Sequence, residues 1–183
     1  MPQEVDMHRR LWLLGLALFL AACTAGGIYI PPTLPPEGLY ARIETTRGTI
    51  LCELRPDAAP KTVANFRKLA DAGWYDGHTF FRVEPGFVIQ GGSPDDTATG
   101  SIGYTIEAEI SLPHRPGALA MARTGDAVNP ERRSDGSQFY ITLGETPHLD
   151  GAYTVFGYCT GSLDVARQIQ VGDRILRVRV EER

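Results

Sequence analysis

A chain of 183 residues, 43% hydrophobic and 22% charged, carries enough apolar side chain for one globular domain and too much for a disordered one. Its 18 basic and 22 acidic residues leave a formal charge of −4, which argues against a general nucleic-acid binder. Three cysteines without a CxxC pair argue against a disulfide-built scaffold and a structural zinc, and 20 glycines with 13 prolines point to many turns and short strands.

In chain order, His8-Arg9-Arg10 come first and precede an apolar run from Leu11 to Leu20. About ten helical residues make roughly 15 Å, half of a bilayer core of about 30 Å, so the run is too short to span and suits a secretory signal. Glu4 and Asp6 sit awkwardly in a segment that should be positive, and a start at Met7 would remove both. The run ends Leu20-Ala21-Ala22-Cys23, which resembles the lipobox of bacterial lipoproteins. That resemblance implies a signal over 1–22, cleavage before Cys23, a lipid on its thiol and attachment to the membrane through that lipid. Thr24, in place of an aspartate, points by the same resemblance to the outer membrane, facing the periplasm. Residues 23–39, with Gly26-Gly27 and then Pro31-Pro32-Thr33-Leu34-Pro35-Pro36, read as a tether that is flexible first and stiff afterwards.

The domain proper is assigned to 40–183. Ala41–Thr45 and Thr49–Leu54 flank Thr46-Arg47-Gly48 as a β-hairpin. Pro60 opens a helix whose apolar stripe is Val63, Phe66, Leu69 and Ala70, and Gly73 ends it. Short strands are predicted at Thr79–Val83, Phe87–Gln90, Ala118–Ala122, Gln138–Leu143 and Thr154–Cys159. Ser162 is placed as the cap of a second helix with Val165 and Ile169 on its buried side, stopped by Gly172, before an alternating strand at Leu176–Val180. Without repeats or a βαβ rhythm, the pattern fits a mainly β protein: a closed antiparallel barrel with a helix over each end. Phe80, Phe81, Phe139 and Phe156 read as core. His78, His114 and His148 lack metal-ligand spacing and read as surface or rim residues. Asp95, Asp96, Glu107 and Glu109 read as solvated charges. Cys52 and Cys159 fall in strands, where buried free thiols are the commoner outcome, and whether they pair stays open.

Phe80-Phe81-Arg82-Val83-Glu84-Pro85-Gly86-Phe87-Val88-Ile89-Gln90-Gly91-Gly92 resembles the signature segment of the cyclophilin-type peptidyl-prolyl cis-trans isomerases. Ala59–Phe66, Gly136–Thr142 and Leu149–Gly157 are similar to three further segments of that family, in order. The resemblance covers Tyr40 to Val180 and implies an eight-stranded antiparallel barrel capped by two helices. It also implies isomerisation of X-Pro bonds in unfolded or exported chains, by a monomer that needs neither cofactor nor metal. A proline-binding holdase or scaffold with little turnover is the alternative.

Amide resonance makes rotation about the C–N bond cost about 18–20 kcal/mol. In the twisted amide the prolyl nitrogen regains a lone pair, so a charged donor aimed at it favours that state over the planar ones. By the resemblance that donor is Arg82, with Phe87 and Gln90 completing the catalytic group and Gln90 also holding Arg82. Val88, Tyr140 and Leu149 join Phe87 around the proline ring, Ala122 and Arg123 contact the flanking peptide backbone, Gln138 sits at the pocket edge, and His148 and Tyr153 belong to the pocket wall and rim. Val88, Tyr140, His148 and Tyr153 depart from the commonest family residues but keep ring or apolar character, and Arg123 stands where an asparagine is usual. The segment 125–135 is longer than the usual family loop and is expected to border the groove.

Overall fold

A computed structural model describes residues 37–183. Cys23, the signal and the prolines of the tether lie outside the described residues. The strands are β1 (Leu39–Thr45), β2 (Gly48–Leu54), β3 (Phe80–Glu84), β4 (Val88–Gly91), β5 (Thr105–Ile106), β6 (Ala118–Met121), β7 (Ser134–Asp135), β8 (Phe139–Thr142), β9 (Val155–Tyr158) and β10 (Ile175–Glu182), with helices α1 (Pro60–Asp71) and α2 (Leu163–Ala166). Eight strands form one antiparallel sheet in the order β10-β1-β2-β9-β6-β8-β4-β3, and β5 pairs with β7 apart from it.

The sheet is a curled half-barrel rather than the closed barrel expected. Its edges, β3 and β10, touch at the isolated bridge Thr79↔Arg174, supported by backbone bonds such as Phe80 N to Asp173 O at 2.9 Å, and no ladder joins them among the described residues. A β-bulge at Phe81 follows directly on that contact and interrupts the regular course of β3. The second helix also falls short of expectation, with four residues against the twelve of α1. Ser162 does not cap it, because its hydroxyl bonds the backbone N and O of Leu51 at 2.8 and 3.0 Å. Ile169 is nonetheless buried beyond the helix end.

α1 forms as predicted, with Pro60 in its first turn and Val63, Phe66, Leu69 and Ala70 buried. Its cap comes from a distance. The Glu109 carboxylate accepts the free N–H groups of Lys61 and Thr62 at 3.0 and 2.9 Å, so Glu109 is a capping anion and not a solvated charge.

The sheet is buried on both faces over its middle strands. Inside, Phe66, Tyr75, Phe80, Phe139 and Phe156 interlock, with Phe80 and Tyr75 edge-on to Phe139 at 6.4 and 5.5 Å. Phe81, expected in this core, is the bulged residue and stays half-buried. Outside, a smaller cluster gathers Val88, Ala118, Ala120, Tyr140, Val155 and Tyr158.

Cys52 and Cys159 are joined in a disulfide, contrary to the free thiols favoured from sequence. The register Glu53↔Tyr158 between β2 and β9 sets the two cysteines opposite one another, with Cα atoms 3.9 Å apart. That register is a tertiary fact that strand patterning does not contain. The bond closes a loop across a sequence separation of 107 residues. Replacing both cysteines by alanine is expected to lower the unfolding free energy by about 2–4 kcal/mol in urea titration, and thiol labelling of the denatured, unreduced protein should leave both unmodified.

Candidate active site

The bulge at Phe81 also builds the site. Phe80 pairs with Gly91 and Arg82 with Gln90, so Phe80 enters the core while Arg82 and Gln90 share the outer face. Beyond them, Glu84 to Phe87 make a tight turn closed by Phe87 N to Glu84 O at 2.9 Å. Pro85 suits its second position, and Gly86 supplies the φ of 76° that its third requires. The turn delivers Phe87 beside Arg82, whose guanidinium carbon lies 5.8 Å from the ring centroid.

Arg82 donates from Nη1 to Gln90 Oε1 at 3.1 Å, and from Nε and Nη2 to Glu84 Oε1 at 2.8 and 2.5 Å. Of the five N–H groups of a guanidinium, these contacts use three. Gln90 Nε2 donates in turn to Gln138 Oε1 at 3.0 Å, and Gln138 Nε2 to Gly100 O at 2.6 Å. A row of amides therefore fixes Arg82 from behind while Glu84 holds it from the side.

Arg82 and Gln90 stand at the edge of a cleft of about 270 Å³. Phe87, Val88, Tyr140 and Leu149 supply apolar or aromatic lining, and Ala122, Arg123 and Tyr153 complete it together with Ala98. Gln138 lies instead in an adjoining cleft of about 340 Å³, which shares Gln90, Ala98, Ala122 and Arg123 with the first. Arg133 and Asp135 line that second cleft, so the long segment 125–135 does border the groove. His148 lines neither cleft and stacks on the outer side of Phe87, centroids 5.6 Å apart. Arg123 keeps only 5% of its side chain exposed, packed over the Tyr153 ring at 4.6 Å and bonded to Ala152 O at 2.6 Å.

Four residues near the site were not singled out for it. Glu84 grips Arg82 and is signalled by its alternation with Arg82 along one strand face. Ala98 comes from a loop that only the tertiary fold brings near. His114 and Asp150 lie behind Tyr140. His114 is buried rather than at the rim, its Nδ1 2.9 Å from Asp150 Oδ1 and its Nε2 2.8 Å from the Tyr140 hydroxyl. The signal available was the Tyr140 hydroxyl itself, a polar atom on an otherwise apolar strand that needs a partner when buried.

The family model for cyclophilin type peptidyl-prolyl cis-trans isomerase/CLD matches residues 40–182, nearly the whole described domain. The chain belongs to this family and is a peptidyl-prolyl cis-trans isomerase. It is 51% identical over 132 residues to peptidyl-prolyl cis-trans isomerase B of Bacillus subtilis, covering 70% of this chain and 88% of that protein. It is 48% identical over 143 residues to the peptidyl-prolyl cis-trans isomerase of Synechococcus elongatus, covering 76% and 94%. Among solved structures, a cyclophilin type isomerase of Cryptosporidium parvum superposes with a TM-score of 0.70 at 28% identity, covering 81% of this chain and 99% of that one.

Burial holds the His114 imidazole below its ordinary value of 6.5, outweighing the opposing pull of Asp150, while the backbone N–H and ring of His114 hold Asp150 below the usual carboxylate range. A histidine depressed in the folded state contributes stability that is whole above its unfolded-state pKa and is lost as pH falls through the folded value. Unfolding free energy is therefore expected to fall as pH drops below about 6.5, before most carboxylates titrate. His114→Gln should lack that upper limb in denaturant titrations run from pH 8 to 5.

Proposed function

We propose that the cleft seats an X-Pro segment, with the ring against Phe87, Val88, Tyr140 and Leu149 and the prolyl nitrogen facing Arg82. The observation that carries this reading is a guanidinium fixed on two sides, by Glu84 and Gln90, at the lip of a pocket with aromatic and aliphatic walls. A donor held in place before the reaction loses little in reorganising, so its attraction for the lone pair of the twisted amide acts on the barrier rather than on binding. A rate gain of about 10⁵ needs roughly 7 kcal/mol, more than one such hydrogen bond supplies. Apolar enclosure of the ring supplies part of the remainder by excluding water from the amide. Gln90 keeps a second amide N–H for the substrate carbonyl, and Ala122 and Arg123 border the flanking chain. A solved Cryptosporidium parvum relative was crystallised in the presence of the dipeptide Ala-Pro, which supports a proline peptide as the occupant.

The enzyme is further proposed to act on exported polypeptides at the cell envelope, anchored by lipid on Cys23 and facing the periplasm. Two independent features support this. The first is the ordered basic, apolar and Leu20-Ala21-Ala22-Cys23 pattern of the sequence. The second is the Cys52–Cys159 disulfide, a bond that persists in oxidising compartments and is rare in the cytosol.

Arg82→Ala should lower isomerisation of a short X-Pro peptide by a factor of about 10²–10³, with a much smaller change in peptide affinity. Equal losses in both would define a proline-binding holdase instead. For the anchor, mass analysis of mature protein should find a diacylglyceryl Cys23 at the N-terminus, absent from Cys23→Ser. An unmodified chain beginning at Cys23 or Thr24 would remove the lipid from the proposal.

A further inference from the structure

The geometry points to a positioning role for His114: anchored on Asp150, it holds the Tyr140 hydroxyl and thereby fixes one wall of the proline slot. This rests on the reading of the cleft as the proline site.

His114 lies on the segment before β6 with no side-chain exposure. A single oxygen of Asp150 grips it twice, accepting its backbone N–H at 2.6 Å and facing its ring Nδ1 at 2.9 Å. The ring is therefore fixed in place as well as in orientation. A carboxylate only accepts, so Nδ1 carries the proton, and in the neutral imidazole Nε2 then offers a lone pair. The Tyr140 phenol must be the donor in the 2.8 Å contact with Nε2. Burial raises the phenol well above its ordinary range and lowers the imidazole, so both hold these protonation states near neutral pH.

Tyr140 is buried, and on the β6 side it meets only small neighbours. Its register partner on β6 is Ala120, and on the outer face of that strand Ala118 and Ala122 are equally small. Tyr153 meets it edge-on at 5.8 Å, on one side. The two rings of His114 and Tyr140 lie within 5° of parallel, their polar ends meeting at the hydrogen bond. Without that bond the ring keeps its packing but loses the polar contact that sets its tilt, and the wall of the slot is less sharply placed. Arg82 is held by Glu84 and Gln90, which this change leaves untouched. The expected signature is weaker substrate binding with the chemical step preserved.

The test is a double-mutant cycle on the full chain in detergent, with kcat and KM read by NMR line shape on a short Ala-Pro peptide. Tyr140→Phe and His114→Gln should each raise KM about three- to tenfold, the range for one hydrogen bond, with kcat changed less than about twofold. The double variant should be no worse than the weaker of its parents. Asp150→Asn, which keeps an acceptor, should retain most of the affinity that Asp150→Ala loses. If His114→Gln fails to fold, the cycle is run with Asp150→Ala and Tyr140→Phe. Multiplying effects in the double variant, or a Tyr140→Phe enzyme with unchanged KM, overturns the assignment. Arg82→Ala in the same assay separates the two readings. If it loses kcat while the cycle multiplies, the support alone is wrong. If it keeps kcat, the cleft is not the catalytic site and the support falls with it.

Discussion

A strand turns alternate side chains to opposite faces, so Phe80 and Arg82 would ordinarily share one. They cannot share one here. Phe80 is part of the aromatic core, and a guanidinium beside it would be a charge in apolar surroundings without compensation. The extra residue at Phe81 resolves the conflict by turning Arg82 to the outer face one position early. Once that register is set, the neighbours follow across the sheet: Gln90 opposite Arg82, Tyr140 opposite Gln90, Ala120 opposite Tyr140. The site is a line drawn across four strands, and its starting point is one irregularity in the first of them.

The depth of the cleft comes from a difference in side-chain size between the two faces of the same strands. β6 turns Leu119 and Met121 inward and only alanines outward, while β8 turns Phe139 and Ile141 inward and Tyr140 outward. Large residues inside keep the sheet supported from below. Just past β6 the small Ala122 lines the cleft, and Phe87, Tyr140, Leu149 and Tyr153 rise around it as walls. A binding slot is thus obtained without a hole in the core.

Much of this was legible in the sequence. Pro60, the stripe from Val63 to Ala70 and Gly73 define α1 from local rules alone, and the alternating segments lie close to the observed strands. Arg82, Phe87, Gln90 and Tyr140 emerge from the ordered family segments and do converge on one cleft. What stayed hidden depends on distant partners. Ser162 looks like a helix cap until Leu51 claims its hydroxyl, and Glu109 looks solvated until the start of α1 comes to meet it. His114 has no neighbour in sequence that marks it, because Tyr140 and Asp150 reach it only through the fold. The open edge of the sheet likewise reflects how far two strands run together, a length that alternation does not encode.

The disulfide has a mechanical meaning beyond the loop it closes. β1 and β2 pair over six residue positions and β4 and β8 over four, but β2 and β9 pair over two, Glu53↔Tyr158 and Leu54↔Gly157. This short ladder is a seam dividing the hairpin and its partner β10 from the five strands that include the site. Proteins open in cooperative units bounded by such weak joints, each with its own local opening equilibrium. Cys52 and Cys159 extend the seam by one covalent rung at its end. With that rung in place the strands on either side cannot part independently, and amide exchange in the hairpin becomes coupled to the fate of the whole sheet.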